Sequence, residues 1–245
     1  MSDSSAADAR AVVGAVGEFT LAGLEDGALA DERFRGAIFD FDGTLATSMW
    51  VWLDIDRQFC REHGIELPEG YADDLVGLGF EGAAQYFIDE LGCTLTLEEC
   101  CDEFNRLAFD RYAHEVELKP GAVEFLRGLR ERGVRCAIAS SLNRKLLTAA
   151  LHNNGVEDVF DAICLCDEHR THKSEPLIYQ IAARELGVVP GECVVFEDIV
   201  PGVRSAQAAG MRAVAAIDEG NEAQDTAAVR ELADGCLRDF RGLLG

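Results

Sequence analysis

The sequence has few basic residues for its length. Its 245 residues include 22 lysines and arginines against 45 aspartates and glutamates, which gives a net charge of −23. A surface with this charge repels nucleic acid and anionic lipid, and an anionic ligand needs a local positive site in order to bind. We therefore expect neither a nucleic acid nor a membrane among the partners of this protein.

Long apolar runs are also absent from the sequence, and we do not expect a secretory signal. No stretch approaches the roughly 18 unbroken apolar residues of a membrane-spanning helix, and the N-terminus lacks the basic residues that begin a signal peptide. The nine cysteines are odd in number, and several lie in apolar runs, where cysteine packs as a small apolar residue. These features favour a reduced, cytoplasmic protein without a disulfide framework.

Apolar residues make up 48% of the chain, which is enough to fill the core of one α/β domain and a smaller second domain. Residues 1–33 are rich in alanine, glycine and acids and show no sustained periodicity, so we expect a mobile or loosely docked extension. The remaining chain divides into a core formed by residues 34–47 and 115–245, with residues 48–114 inserted between the two parts.

The inserted segment has helical apolar patterns and no strand pattern. Three stripes with helical spacing lie between residues 52 and 108. Thr96 and Glu99 have the spacing of a capping box at the start of the last helix. Residues 48–114 are therefore predicted to form a compact, all-helical cap.

The core segment alternates between short apolar strands and helical patterns. Strands are predicted at residues 37–41, 134–139, 160–165, 193–196 and 213–217. Apolar strands that alternate with helices favour a parallel sheet covered on both faces. Ligands bind at the carboxyl ends of the strands in such sheets.

Polar side chains follow four of the predicted strands. In chain order these are Asp40 and Asp42, then Ser140 and Ser141, then Lys173, and finally Glu197 and Asp198. Four acids, two serine hydroxyls and a lysine at one edge of a sheet suit phosphoryl transfer.

Each of the first two acids has a natural role in that chemistry. Asp40 can attack phosphorus and form an aspartyl-phosphate. Asp42 can protonate the leaving oxygen and later deprotonate the water that hydrolyses the intermediate. A carboxylate ~4 Å from a phosphate dianion costs ~8 kcal/mol at an effective dielectric constant of about 20. One lysine cannot cancel this repulsion and neutralise the other acids as well, so the site requires a divalent cation.

Mg²⁺ is the expected cation, since it prefers oxygen ligands and commonly bridges a carboxylate to a substrate phosphate. We expect Asp40 and Asp198 to be direct ligands, together with the backbone carbonyl of Asp42. Glu197 is predicted to be a further ligand or to hold a bound water. The substrate phosphate is expected to contact nearby polar groups and helix N–H groups, and the predicted phosphate-binding residues are Asp40, Ser140, Ser141, Asn143 and Lys173.

The ordered motifs resemble those of the haloacid dehalogenase-like superfamily. The matching segments are Phe39-Asp40-Phe41-Asp42-Gly43-Thr44-Leu45, Ala139-Ser140-Ser141, Lys173, and Phe196-Glu197-Asp198 followed by Gly202 and Ala209-Gly210-Met211. The resemblance spans residues 36–217. It implies a Rossmann-like α/β core. The inserted helices resemble the helical cap of the β-phosphoglucomutase-like branch.

The resemblance also implies a choice among activities. Dehalogenases and phosphonatases of the superfamily lack the second aspartate of the first motif, whereas Asp42 is present here, which favours phosphate-ester chemistry. The mutases carry a histidine and an arginine in the cap, where this sequence has Trp52 and Phe80. We therefore expect a phosphatase of a small phosphorylated metabolite, for which a sugar phosphate is one candidate. The predicted cap specificity residues are Trp52, Leu78 and Phe80.

Two other functions stay open at this point. One is a phosphomutase of the β-phosphoglucomutase type, and the other is a non-catalytic regulator that binds Mg²⁺ and phosphate. For any of the three functions we expect a monomer or a weak dimer.

A second group of residues has the composition of a metal site. Cys164, Cys166, His169 and His172 lie close together in the sequence. The two cysteines end an apolar strand, however, so ordinary packing is the favoured interpretation for them.

Overall fold

A six-stranded parallel sheet forms the centre of the molecule. The computed structural model describes residues 18–24, 29–75, 78–218, 221 and 224–244. The strands are β1 (Gly36–Phe39), β2 (Arg135–Ser140), β3 (Ala162–Leu165), β4 (Cys193–Glu197), β5 (Arg212–Ala216) and β6 (Gly235–Leu237). The first five confirm the predicted strands. The short strand β6, which the sequence pattern does not predict, extends one edge of the sheet by pairing with β5.

The strand order is β3-β2-β1-β4-β5-β6, and every pairing is parallel. Strand β1 lies between β2 and β4, with Phe39 level with Ile138 on one side and with Phe196 on the other. The strand order therefore reverses at β1, with β2 and β3 on one side of it and β4, β5 and β6 on the other. In open parallel sheets this switch point, at the carboxyl ends of the strands, is the place where ligands bind.

Helices cover both faces of the sheet, as the Rossmann-like fold class requires. The helices of this part of the chain are α5 (Ala122–Glu131), α6 (Arg144–Asn154), α7 (Cys166–His169), α8 (Leu177–Leu186), α9 (Val200–Ala208) and α10 (Thr226–Leu232). Successive residues of β1 point to opposite faces because strand side chains alternate. Ile38 belongs to the core cluster that contains Ile178 of α8, whereas Phe39 belongs to the other cluster and stacks on Phe196.

The inserted segment is helical, as predicted. Its helices are α1 (Met49–His63), α2 (Tyr71–Leu75), α3 (Gly79–Asp89) and α4 (Leu97–His114), and its described residues contain no strand. The capping box of Thr96 and Glu99 is present at the start of α4. Phe59 of α1 stacks on Phe104 of α4, with ring centroids 4.4 Å apart, so the segment has its own apolar contacts. The division of the chain into a core and a separate cap stays a prediction.

The described part of the 1–33 segment is packed on the core, whereas the mobile or loosely docked character of the extension as a whole stays a prediction. Phe19 and Phe34 exchange two backbone hydrogen bonds of 2.8 and 2.9 Å. The side chains of Phe19, Leu21 and Leu29 are buried in the main core cluster. Their apolar area is removed from water, and this stabilises the docked position. The rest of the predicted extension, residues 1–17 and 25–28, lies outside the described residues.

Among the described residues, no helix has both the length and the apolar composition needed to cross a bilayer.

Candidate active site

The strand ends bring the predicted residues to one edge of the sheet. Asp40 directly follows β1, Ser140 is the last residue of β2, and Glu197 is the last residue of β4. Lys173 reaches the same place from the loop between α7 and α8. Six of the predicted residues line a single cavity there, namely Asp40, Asp42, Ser140, Ser141, Lys173 and Asp198.

Lys173 is buried between two carboxylates. Its Nζ atom lies 3.0 Å from Oδ1 of Asp40 and also forms a short ion pair with Oε1 of Glu197. Desolvation lowers the pKa of this amine, but the charges of Asp40 and Glu197 outweigh it and raise the pKa well above its ordinary value. Lys173 is therefore a fixed positive charge beside Asp40, of the kind that an anionic ligand needs on this acidic protein.

Hydrogen bonds hold both oxygens of Glu197. The hydroxyl of Tyr179 donates to Oε1 at 2.8 Å, and the backbone N–H groups of Asp198 and Ile199 donate to Oε2 at 2.9 and 3.2 Å. A Cβ atom on Gly202 would lie 2.4 Å from the carboxyl carbon of Glu197, so only glycine fits there. This arrangement fixes the position of Glu197, which in turn positions Lys173.

Asp198 is held by the loop that follows β1. The hydroxyl of Thr44 donates to its Oδ1 at 3.3 Å. Gly43 has a φ of 73°, and a Cβ atom there would lie 2.1 Å from Oδ2 of Asp198. Glycine is therefore required at this position both for the backbone conformation and for the close approach of the carboxylate. Gln224 donates to the backbone carbonyl of Asp198 at 2.9 Å and so holds the loop that follows β4.

Asp40, Glu197 and Asp198 have the arrangement of a cation site. One carboxylate oxygen from each residue lies within 4.8 Å of the others, and this is the one such group in the described part of the chain. All three offer oxygen, the donor that Mg²⁺ prefers. Burial raises the pKa of Asp40 to about 7 against the opposing charge of Lys173, and burial followed by the neighbouring carboxylates raises the pKa of Asp198 well above its ordinary value. A divalent cation relieves this accumulation of buried negative charge, so the residues fit Mg²⁺.

Asp42 is held by two hydroxyl groups that the sequence pattern does not predict. Ser48 donates to its Oδ1 at 2.6 Å, and Tyr112 of α4 donates to the same atom at 2.7 Å. Burial raises the pKa of Asp42, and the hydrogen bonds from Ser48, Tyr112 and Trp52 oppose the rise. The side chain is therefore anchored on one oxygen while the residue faces the cavity.

The polar residues after β2 have different environments. Ser140 and Ser141 line the cavity. Oγ of Ser140 accepts a hydrogen bond from the N–H of Leu142 at 3.1 Å, which leaves its own proton available. The structure does not bring Asn143 to the cavity, in contrast to its prediction as a phosphate-binding residue. Its side-chain oxygen accepts from the N–H of Leu146 as the N-cap of α6, and its amide donates to Asn105.

An apolar wall from the inserted helices encloses the other side of the cavity, whose volume is about 230 Å³. Trp52 and Phe80 line this wall, and their rings are 6.1 Å apart, while their role in specificity stays a prediction. Leu78 is not among the lining residues, and its role as a specificity residue stays a prediction. It precedes α3 as the N-cap residue, and its side chain is 37% exposed. The further lining residues of the wall are Met49, Leu53, Asp56, Ala72, Leu75, Ala83 and Phe104.

A parallel Rossmann-like sheet with a lysine, a serine and buried acids at its switch point defines an enzyme of the phosphoryl-transfer class. The sequence comparisons identify the particular family. The model of the haloacid dehalogenase-like hydrolases matches residues 37–216, and the chain belongs to this family.

Individual relatives agree with this membership. YhcW of Bacillus subtilis is 31% identical over 185 residues, which cover 74% of this chain and 82% of YhcW. Fructose-1-phosphate phosphatase YqaB of Escherichia coli is 29% identical over 185 residues, which cover 75% of this chain and 96% of YqaB. The crystal structure of CbbY from Rhodobacter sphaeroides in complex with phosphate has the same fold, with a TM-score of 0.75 and 24% identity, and the match covers 84% of this chain and 95% of CbbY.

Proposed function

We propose that this protein is a phosphatase that hydrolyses phosphate monoesters of small metabolites, sugar phosphates among them, through a phosphorylated Asp40. The observation that carries the proposal is the position of Asp40. Its carboxylate lies 3.0 Å from the buried amine of Lys173 and beside the carboxylate of Asp198, at the floor of a cavity of small-molecule size. The relative YqaB, named as a fructose-1-phosphate phosphatase, supports the same class of substrate.

The reaction proceeds in two displacements at phosphorus. The Asp40 carboxylate forms a bond to phosphorus while the bond to the ester oxygen breaks, and Asp42 gives its proton to that oxygen. A water molecule then attacks phosphorus, the bond to Asp40 breaks, and Asp42 takes the proton from the water. Burial raises the pKa of Asp42, which makes it easier for the residue to hold the first proton near neutral pH.

Lys173 and Ser140 are the proposed ligands of the phosphate oxygens. Both side chains line the cavity next to Asp40, and Ser141 lies beside them. The ammonium group of Lys173 supplies charge-assisted hydrogen bonds, and the Ser140 hydroxyl has its proton free to donate.

Mg²⁺ is the proposed cofactor, held by Asp40, Asp198 and the backbone carbonyl of Asp42. When bound, it neutralises the charge between the attacking carboxylate and the phosphate. Glu197 accepts hydrogen bonds on both oxygens, so we propose that its main role is to hold Lys173 in position. Its role as a further metal ligand, or as a residue that holds a bound water, stays a prediction.

A phosphatase fits the cavity better than a phosphomutase does. A mutase has to hold a second phosphate, and among the described residues Lys173 is the one cation that lines the cavity. Trp52 and Phe80 provide apolar surface on the cap side instead. Incubation with a hexose 1-phosphate separates the two activities, because a phosphatase releases inorganic phosphate and a mutase produces an isomer. The cytoplasmic location and the monomeric or weakly dimeric state stay predictions.

Phosphate release from a panel of phosphorylated metabolites that includes fructose 1-phosphate tests the proposal. We expect turnover with Mg²⁺, loss of turnover in EDTA, and recovery when Mg²⁺ is restored. Asp40→Asn should lower kcat on the order of a thousandfold or more while circular dichroism and Tm show an intact fold. Turnover that survives Asp40→Asn or EDTA contradicts the mechanism. A complete lack of turnover across the panel favours the non-catalytic regulator.

A further inference from the structure

Asp56 is a buried carboxyl group on the apolar wall of the cavity. It lies on α1 four residues after Trp52, so both side chains belong to the same face of the helix. The residue is only 6% exposed, yet it lines the cavity that holds Asp40 and Lys173 at its other end. No step of the proposed hydrolysis uses it.

The hydrogen bonds of Asp56 are incomplete. The hydroxyl of Tyr71 donates to Oδ2 at 2.9 Å, whereas no group in the described part of the chain donates to Oδ1. No cation pairs with the carboxyl group there, and burial raises its pKa to about 7. Glu197, which is fully buried, has donors on both oxygens and a lysine partner.

This difference indicates a binding role for Asp56. Burial of a carboxyl group is costly unless the group is paired, and a ligand donor at Oδ1 would complete the hydrogen bonds of Asp56. Apolar side chains surround Asp56 on the wall, so a ligand group that reaches it must bring its own polar atom. When Asp56 is ionised, both of its oxygens only accept hydrogen bonds, and therefore the ligand group that matches the ionised form is a hydrogen-bond donor.

We propose that Asp56 and Tyr71 form a specificity site for a hydrogen-bond donor on the leaving group of the substrate. The inference rests on the proposed phosphatase function and narrows its substrate class. The preferred substrate is a small monophosphate ester whose phosphate lies at Asp40 and Lys173. Its leaving group has apolar surface against Trp52, and it carries a hydroxyl or an amine at the end that faces Asp56.

Matched synthetic esters test the specificity site. The set consists of plain alkyl phosphates and their ω-hydroxy and ω-amino counterparts, with three to six carbons, so that one length can span the cavity. We expect the wild-type protein to favour a donor-bearing ester over the alkyl ester of the same length by about 10- to 100-fold in kcat/KM, the range expected for a hydrogen bond to a charged group. The identity of the preferred ester distinguishes a hydroxyl donor from an amine.

Variants then assign the preference to the two residues. Asp56→Leu should bring the ratio between donor-bearing and alkyl esters close to one, and Tyr71→Phe should lower it in part. Asp56→Asn keeps an accepting oxygen and the side-chain shape, so it should retain part of a hydroxyl preference and lose an amine preference. Asp54→Asn is the matched control, because Asp54 lies on the same helix, pairs with Arg111 and does not line the cavity. It should leave the ratio unchanged.

Binding measurements separate this inference from the proposed function. Calorimetric titration of the same esters into Asp40→Asn protein with Mg²⁺ gives the ratio of affinities without turnover. A ratio near one at every chain length, or a wild-type ratio that persists in Asp56→Leu, overturns the specificity site. If wild-type protein hydrolyses none of the esters, the phosphatase proposal fails for this class, and the calorimetric ratio still decides the role of Asp56.

Discussion

The buried carboxyl groups of the site differ in the hydrogen-bond donors and cations that stabilise each of them. Glu197 has donors on both oxygens, and Asp40 has the ammonium group of Lys173 at 3.0 Å. Asp42 has two hydroxyl donors on one oxygen. Within the described residues, Asp56 has a single hydrogen-bond donor and no cation partner. Since an uncompensated carboxylate is costly to bury, Asp56 is the acid whose removal should stabilise the fold.

The stability of the protein should therefore depend on the ionisation of Asp56. Burial raises its pKa from an ordinary value of 3.8 to about 7, so the folded state keeps the proton over a range where the unfolded chain has lost it. The free energy of unfolding then falls as pH rises from about 4 to 7. The decrease is on the order of 4 kcal/mol once Asp56 is fully ionised. Its titratable neighbours Tyr71 and Cys60 both have raised pKa values and stay neutral in this range.

Asp56→Asn removes the ionisable group and should abolish that part of the pH dependence. Urea unfolding of both proteins at several pH values between 4 and 8 measures the effect. We expect the variant to gain stability over the wild type as pH rises. A difference in free energy that does not change with pH would show that Asp56 ionises as freely in the folded protein as in the unfolded chain.

At the scale of secondary structure, the convergence of strand ends could be predicted, whereas individual side-chain contacts between other distant segments could not. Asp40, Ser140 and Glu197 lie at the ends of apolar strands, and parallel strands bring such ends together. Tyr112 reaches Asp42 across 70 positions of sequence, and nothing local to α4 indicates the contact. The sequence predicts that Asn143 contacts the substrate because it begins a helix, but its side chain accepts from the helix N–H of Leu146 instead.

A local signal for Asp56 was present in the sequence. The apolar face of α1 contains Trp52, Ile55 and Phe59, and Asp56 interrupts it with a charged group. A charge within an apolar stripe is unfavourable unless the site uses it. Residues 18–24 and 29–33 carry no comparable signal. Their buried side chains, such as Phe19 and Leu29, are too irregularly spaced to form a helical or strand pattern.

Helix α4 of the inserted segment should contribute to the reaction through Tyr112. Tyr112→Phe keeps the buried ring and removes the hydroxyl that holds Asp42, so Asp42 loses part of its fixed orientation. We expect kcat to fall about tenfold with little change in KM, since Asp42 acts in proton transfer. Steady-state kinetics measure both constants.

Tyr86→Phe is the matched control for that substitution. Tyr86 also donates its hydroxyl to a carboxylate, Asp74, but this contact lies on the surface of the inserted segment. Its kinetic constants should equal those of the wild type. An unchanged kcat in Tyr112→Phe, or an equal loss in Tyr86→Phe, would contradict the role given to Tyr112.

At the scale of the whole molecule, an anionic substrate has to bind to a strongly acidic protein. The net charge of −23 disfavours the approach of a phosphate ester from every side. The described residues place one cation, Lys173, in the cavity, and the cluster of Asp40, Glu197 and Asp198 offers the site for a second positive charge. We therefore expect bound Mg²⁺ to raise the affinity for the phosphate ester, and the bound ester to raise the affinity for Mg²⁺.

The central claim is that Asp40 carries the phosphate during turnover. Rapid quenching of the reaction with borohydride tests it most directly, because borohydride reduces an aspartyl-phosphate to homoserine with loss of phosphate, and mass spectrometry locates the altered residue. We predict homoserine at position 40 in protein quenched during turnover with Mg²⁺, and unaltered Asp40 in protein quenched without substrate. An unaltered Asp40 during measured turnover, or homoserine at another aspartate, would contradict the account.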